Sequence, residues 1–325
     1  MSELQKIQAS VSEELTWLNQ TMRSALASSS PLLQHIVEMF LQRKGKQIRP
    51  LLVILTAKIF SEANEKTINA AASIELLHNA SLVHDDVLDE TQIRRGLDTI
   101  NSRWDNQVAV LVGDFFVSRA LHCAVNTGDI RVVRTLSTLG TDLSSGEIDQ
   151  MNNARTHYID ESRYLNVIQH KTASLFKGCV EVGGYTAGAT EEQIAPLLQY
   201  AELLGCCFQI KDDIFDYFDS DKEVGKPSGN DLREGKVTLP LIYALTREGS
   251  QEAPSMRKII EKDELTSEDI TTLIEFAKRE GGIEYAYKRM DEIKAQANEL
   301  IAPLPQTDAL LALRHMLDFI ISRNN

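Results

Sequence analysis

Apolar residues along the chain recur mostly at intervals of three and four, the spacing that places them on one face of an α-helix. Five stretches show this spacing: Leu32, Leu33, Ile36, Val37, Phe40 and Leu41; Ile74, Leu77, Leu82 and Val83; Val108, Leu111, Val112, Phe115 and Phe116; Ile194, Leu197, Leu198, Ala201, Leu204 and Phe208; Leu310, Leu313, Leu317 and Ile320. No sustained alternation with a period of two residues indicates a sheet. We therefore expect an all-α fold, with residues 1–325 forming a single helical domain.

Signals at helix ends support this pattern. Ser30 followed by Pro31 predicts a helix that begins near residue 31. Thr266 precedes acidic residues and predicts the start of another helix. Gly281-Gly282 is expected to separate two helices. Residues 219–236 are polar and glycine-rich. A loop of that length is often a lid or a binding loop, although a disordered surface loop without a function would have the same composition.

Charge and cysteine content narrow the class of protein. The net charge of −13 disfavours nucleic acid and anionic lipid as partners. The polar, acidic N-terminal residues are unlike a signal peptide, and no apolar run approaches the ~20 residues of a membrane span. Four cysteines without CxxC spacing predict buried thiols in a reduced, cytoplasmic protein. An anionic substrate would need positive charge concentrated locally.

Two clusters of aspartates have the same spacing. Residues 85–89 read Asp-Asp-Val-Leu-Asp and residues 212–216 read Asp-Asp-Ile-Phe-Asp. On a helix, Asp85 and Asp89 share one face and repel each other unless a cation lies between them. One such cluster could be a solvated acidic surface, but two clusters set among apolar residues are not explained in that way. We expect two facing helices whose carboxylates hold Mg²⁺ ions, and through them a diphosphate.

A diphosphate held by magnesium still has anionic oxygens that basic side chains could neutralise. The chain offers Lys46, Arg49, Arg94, Arg95, Lys171, Lys226 and Lys236. Taken singly, each is more often a surface residue. Arg94-Arg95 begins five residues after Asp89, and His78 lies two helical turns before Asp85 on the same face.

These residues together resemble the motifs of the trans-isoprenyl (polyprenyl) diphosphate synthases. Residues 78–89 with 94–96 resemble the first aspartate-rich motif, and residues 208–216 resemble the second. Shorter matches at 45–50, 171–173, 225–227 and 229–231 follow in the family's order, so the resemblance spans about residues 45–240. It implies an all-α, isoprenoid-synthase-like bundle around a deep central cavity, usually in a homodimer.

The resemblance also implies a role for each matching residue. Magnesium would be bound by Asp85 and Asp89 (two ions) and by Asp212 with help from Asp216 (a third). The allylic diphosphate would be held by Arg94, Lys171, Lys226 and Lys236, and isopentenyl diphosphate by Lys46, Arg49, His78 and Arg95. Thr172 and Gln209 would lie beside the reacting carbons. The implied reaction is a Mg²⁺-dependent, head-to-tail prenyl transfer.

Product length is expected to depend on the residues one turn before Asp85. In the family, bulky aromatic residues there stop growth early, whereas Ala80 and Ser81 are small. This resembles long-chain synthases that make products of about C35–C50 for quinone side chains. A deeper block by Phe115 or Phe116 would instead give a short-chain farnesyl or geranylgeranyl diphosphate synthase.

Three other functions fit these residues less well. A class I terpene cyclase typically has an Asn/Ser/Glu second metal motif, which differs from residues 212–216. A silent partner subunit usually loses aspartates that this chain keeps. A divalent-cation buffer or scaffold would not need Lys46 and Arg49 or Arg94 and Arg95.

Overall fold

The structure, a computed structural model, describes residues 2–42, 45–94, 96–153, 159–218, 228–262 and 264–323, with side chains throughout except at residues 149–153 and 171. Within these ranges the helices are α1 (Glu3–Ala9), α2 (Ser12–Ala25), α3 (Pro31–Leu41), α4 (Ile48–Phe60), α5 (Glu65–Leu88), α6 (Ile100–Arg103), α7 (Asn106–Asn126), α8 (Ile130–Asn153), α9 (Glu161–Ile168), α10 (Ser174–Thr186), α11 (Glu191–Phe215), α12 (Asn230–Arg233), α13 (Leu239–Thr246), α14 (Ala253–Ile260), α15 (Ser267–Arg279), α16 (Gly282–Ile301) and α17 (Asp308–Ser322). The predicted all-α fold is confirmed.

Helix starts lie where the sequence placed them. The Ser30 hydroxyl accepts a hydrogen bond from the Leu33 N–H at the start of α3. Thr266 and Asp269 form a reciprocal capping box at the start of α15. Gly281 has a left-handed φ of 81° and directly precedes α16, so the predicted break is confirmed as well.

Two local features differ from the sequence expectation. A two-stranded antiparallel hairpin, β1 (Ile93–Arg94) and β2 (Leu97–Asp98), follows the first aspartate cluster. Strands of two residues are too short to show an alternating pattern. The predicted 219–236 loop also contains the helical turn α12, while residues 219–227 lie outside the described residues. The carboxylate of Asp216 caps that turn.

Two long helices organise the interior. α5 packs along α7 and contacts α4 and α10, and α11 packs against α10 and α16. α4 and α5 are buried on most sides, which is why their apolar residues do not form a single stripe. Each of α5 and α11 ends at one of the aspartate clusters: Asp89 caps the C-terminus of α5, and Asp216 caps that of α11.

Helices α9 and α10 are joined without a break by a π-helical segment, Gln169–Ala173. This wider turn lies against α11. The contact depends on Gly205, since a Cβ there would lie only 2.7 Å from the Cα of Ala173. π-Turns inside α-helices often mark functional sites, and this one carries Thr172.

Helix α7 is long and apolar enough, by length and composition alone, to cross a membrane, and 39% of its most apolar window is buried. Asp114 and Arg119 interrupt its apolar run, which is therefore shorter than the helix itself. Core helices of soluble proteins meet the same criterion. The four cysteines are free and buried, as predicted.

Candidate active site

The two aspartate clusters meet at one cavity. A cavity of about 530 Å³ is lined by Asp86 of the first cluster and Asp212 of the second, together with basic side chains. The clusters therefore do not lie on opposite surfaces. Lys236 joins the two sides electrostatically: burial lowers its pKa, but the carboxylates of Glu234, Asp231 and Asp89 outweigh that effect and leave the pKa raised.

Both clusters lie at helix C-termini, where unpaired carbonyl groups already make the potential negative. A carboxylate is normally unfavourable there, and each of these helix ends carries three within five residues. Such an arrangement is stable only with cations close by. The structure supplies some of these cations from the protein itself.

In the first cluster, Asp86 is buried and forms an ion pair with Arg94, whose Nε lies 2.6 Å from Asp86 Oδ1. The hairpin positions Arg94 for this contact. The backbone carbonyl of Asp86 accepts hydrogen bonds from the Thr91 N–H and the Asn101 amide, so the chain turns sharply after α5. Asp85 and Asp89 lie on the neighbouring face of the same helix end.

In the second cluster, a hydrogen-bonded chain connects four side chains. The Thr172 hydroxyl donates to Gln209 Oε1 at 2.7 Å, and Gln209 Nε2 donates to Asp213 Oδ1 at 2.7 Å. The other oxygen of Asp213 accepts from the Tyr164 hydroxyl at 2.5 Å. Burial raises the pKa of Asp213 to about 6 against the effect of these donors. The chain fixes Thr172 and Gln209 relative to α11.

Asp216 has a structural contact that the sequence did not indicate. Its two oxygens accept the backbone N–H groups of Asn230 at 2.9 Å and Asp231 at 3.0 Å, which begins the turn α12. Burial raises the pKa of Asp216. Asp231 is also held in this acidic region, and burial, followed by Asp213 and Asp216, raises its pKa well above the usual value. The family resemblance includes residues 229–231 but implies no role for Asp231.

Three of the four residues expected to bind isopentenyl diphosphate line the cavity: Lys46, Arg49 and His78. Arg49 Nη1 lies 2.9 Å from His78 Nε2. Because a guanidinium can only donate, that imidazole nitrogen accepts and carries no proton. The Arg49 guanidinium also lies 5.4 Å from the ring centre of Phe176 and 5.7 Å from that of Phe208.

Arg323, at the C-terminal end of α17, lines the same cavity and was missed from the sequence. Its Nη2 lies 2.6 Å from Asp212 Oδ1. Burial raises the pKa of Asp212, and the charges of Arg323, Arg49 and Lys46 oppose that shift. No local signal could have revealed Arg323, because it is 111 residues away from its partner.

Comparison with known proteins identifies the family. A family model described as polyprenyl synthetase matches residues 30–277. The chain belongs to that family. An octaprenyl diphosphate synthase of Haemophilus influenzae is 33% identical over 321 residues, which cover 99% of this chain and 97% of that protein.

Solved structures of the polyprenyl synthetase family have the same fold. A geranylgeranyl pyrophosphate synthase from Bacteroides thetaiotaomicron is 37% identical with a TM-score of 0.85, over 99% of this chain and 100% of that one. A polyprenyl synthase from Caulobacter crescentus, complexed with calcium and isoprenyl diphosphate, is 30% identical with a TM-score of 0.90, over 99% and 98% of the two chains.

The donor set fits magnesium bound together with a diphosphate. Among the described residues, no three His, Cys, Asp or Glu side chains form a group able to hold a metal by themselves. Mg²⁺ commonly uses only one or two carboxylates and takes its other ligands from water and substrate phosphates. Of the six aspartates, Asp86 and Asp212 line the cavity beside its basic side chains, and Asp85, Asp89 and Asp216 lie at the same two helix ends without lining it.

Some expectations about this polyprenyl synthetase stay predictions. Arg95 and Lys226 lie outside the described residues, as does the side chain of Lys171. Ala80 is buried and Ser81 is partly buried, and neither lines the 530 Å³ cavity.

Proposed function

We propose that this polyprenyl synthetase is a trans-polyprenyl diphosphate synthase, which joins isopentenyl diphosphate to an allylic prenyl diphosphate in successive Mg²⁺-dependent steps. The observation that carries the proposal is the meeting of the two acidic helix ends at one cavity that is also lined by Lys46, Arg49, His78 and Arg94. A cavity lined by both carboxylates and cations suits two anionic diphosphates and their metal ions.

Magnesium would be held by Asp85 and Asp89 on α5 and by Asp212 and Asp216 on α11. Bound there with the substrate, it would neutralise negative charge on the departing diphosphate, with three ions expected. Arg94 and Lys236, with Lys171 and Lys226, would hold the allylic diphosphate. Lys46, Arg49 and His78, with Arg95, would hold isopentenyl diphosphate.

Thr172, Phe208 and Phe176 would act on the reacting carbons. The Thr172 hydroxyl donates a hydrogen bond to Gln209, so the lone pairs of its oxygen stay available, and their partial negative charge would favour an allylic cation. Phe208 and Phe176 contribute ring faces beside the site. The double bond of isopentenyl diphosphate attacks the cation, and the proton then lost passes to the released diphosphate. Closure of segment 219–236 would exclude water.

A long-chain product of about C35–C50 is the extension we favour. The octaprenyl diphosphate synthase relative supports it, as do the small side chains of Ala80 and Ser81 one turn before Asp85. The geranylgeranyl pyrophosphate synthase neighbour favours the short-chain alternative. A quinone side chain is the use that fits a long product.

Product sizing tests both parts of the proposal. The protein is incubated with farnesyl diphosphate, isopentenyl diphosphate and Mg²⁺, and the dephosphorylated products are separated by chromatography. We expect a ladder ending at a long prenol. Parallel reactions without isopentenyl diphosphate and with a chelator should give none. A product that forms without isopentenyl diphosphate would instead indicate a cyclase.

The exposed face of α7 supports a homodimer. Val110, Leu111, Val117, Leu121 and Val125 each have more than 40% of their surface exposed along this helix. A long apolar stripe exposed to water favours burial against another apolar surface. The same face of a second copy of the chain would provide that surface. A reduced, cytoplasmic location fits the four buried free thiols.

A further inference from the structure

Arg323 enters the candidate active site from the end of α17 and is held there by several contacts. Its Nη2 lies 2.6 Å from Asp212 Oδ1 and donates to the backbone carbonyl of Phe208 at 3.0 Å. The guanidinium lies 4.2 Å from the ring centre of Phe208 and 5.4 Å from that of Phe215. The residue is only 8% exposed, so this is a built contact rather than a chance surface pair.

The fold directs Arg323 to this place. α17 packs against α4 and α11, and α11 is the helix that carries Asp212. The Arg323 N–H donates to the Phe319 carbonyl at 2.9 Å, which keeps Arg323 in register with the last turn of the helix. The end of α17 therefore reaches the cavity as part of a packed helix.

We propose that Arg323 is a positioning residue that holds Asp212 when magnesium is absent and competes with magnesium for that carboxylate. The proposal rests on the proposed function in one respect, that Asp212 is a magnesium ligand. Its consequence is that the metal-free site is pre-ordered, and that magnesium binds Asp212 only by displacing the guanidinium.

Distances explain the competition. Magnesium binds carboxylate oxygens at about 2.1 Å. With Nη2 at 2.6 Å from the same oxygen, an ion on Oδ1 would be at most about 5 Å from the guanidinium nitrogen. Two cations at that separation repel each other, and water screens the repulsion only in part, because the Arg323 side chain is 6% exposed and that of Asp212 is 40% exposed. The ion pair and a magnesium ion cannot both use Asp212 at full strength.

The other aspartates of the cluster differ in this respect. Asp213 accepts hydrogen bonds from the neutral Tyr164 and Gln209 side chains, and Asp216 accepts them from backbone N–H groups. Neutral donors do not repel an incoming ion as a guanidinium does. We therefore expect the effect of Arg323 to act through Asp212.

Magnesium titration of the protein without substrate tests the proposal. Thermal unfolding is followed across a MgCl₂ series, with isothermal titration calorimetry of MgCl₂ as a second readout. Arg323→Gln should lower the magnesium concentration for half-maximal stabilisation by about fivefold to tenfold. Arg323→Lys keeps the charge and should stay closer to the wild type. Arg279→Gln removes a surface pair, Arg279 with Glu252 at 2.5 Å, and should change nothing.

Several results would overturn the proposal. One is a half-maximal concentration in Arg323→Gln that is unchanged or higher, which would mean that Arg323 does not compete. Another is a lower half-maximal magnesium concentration in Arg323→Gln that persists when Asp212→Asn is added, which would mean that the ion binds elsewhere. Absence of any magnesium response in both wild type and Arg323→Gln would also reject it. If the Gln variant does not unfold cooperatively, Arg323→Met, which retains the apolar stem, replaces it. Condensation activity, measured separately, reports on the proposed function.

Discussion

Replacing Gly205 with alanine should displace the π-helical segment that carries Thr172. The added Cβ would lie 2.7 Å from the Cα of Ala173, where ordinary contact begins at 3.4 Å. The two backbones must therefore separate by about 0.7 Å, the difference between those distances. Taken along the Thr172–Gln209 hydrogen bond of 2.7 Å, that movement would stretch it to about 3.4 Å, beyond the usual range for O–H···O.

The matched control is Gly140→Ala on α8, where a Cβ would meet nothing within 4 Å. Both substitutions raise the free energy of unfolding by about 0.5–1 kcal/mol, because alanine favours a helix more than glycine does. Gly205→Ala also overpacks the contact with Ala173, which lowers the free energy of unfolding by about 1–3 kcal/mol. We expect Gly205→Ala to be less stable than Gly140→Ala by about 1–3 kcal/mol in urea unfolding. Its kcat should fall by about tenfold to a hundredfold, because catalytic groups are sensitive to small misplacements.

Comparing the two variants removes the shared effect of helix propensity. If Gly205→Ala matched Gly140→Ala in both unfolding free energy and kcat, the close approach of α11 to the π turn would not matter. The proposed role of that turn in positioning Thr172 would then be wrong.

Four further predictions concern Asp213, Asp85, the Ala80–Ser81 floor and the exposed face of α7. Since burial raises the pKa of Asp213 to about 6, the folded protein keeps a proton that the unfolded chain loses between pH ~4 and 6. Stability therefore falls as pH rises through that window, and Asp213→Asn should flatten this dependence in urea unfolding at pH ~4.5 and ~7.5. Asp85→Asn should reduce Mg²⁺-dependent condensation by at least about a hundredfold, with unchanged far-UV circular dichroism as the control for folding. Ala80→Phe and Ser81→Phe should shorten the product, measured by chromatography of dephosphorylated prenols, and unchanged length would reject the predicted floor. Leu121→Glu, on the exposed face of α7, should convert a dimer to a monomer in light scattering, whereas a wild-type monomer would refute the homodimer.

The fold was predictable where local chemistry determines it. Apolar spacing gave the helices, and the Ser30, Thr266 and Gly281 boundaries depend on hydrogen bonds or backbone angles within a few residues. The two aspartate clusters were recognisable because each is a short motif on one helix. Their meeting at one cavity was an expectation from chemistry, which the lining by Asp86 and Asp212 bears out.

The contacts that the sequence did not reveal are those that join distant segments. Arg323 reaches Asp212, Tyr164 reaches Asp213 and Asp216 caps the turn at Asn230, and each pair forms only after helices have packed. No spacing rule marks such partners, since any arginine or tyrosine on a suitably directed helix would serve. The hairpin that positions Arg94 was missed for a simpler reason: two residues per strand leave no pattern.

The pairing of acids with the protein's own bases suggests how the site handles two charged ligands. Asp86 is bound to Arg94, and Lys236 is held among carboxylates that include Asp89. A diphosphate arriving alone would have to take these cations from their carboxylates and leave negative helix ends uncompensated. Magnesium binding alone would be repelled by the Arg94 and Lys236 side chains that already pair with the carboxylates. With both ligands bound, the aspartates would be neutralised by magnesium, and the released Arg94 and Lys236 side chains would be free to contact the diphosphate. Each ligand should therefore strengthen binding of the other by the same factor, as thermodynamic linkage requires.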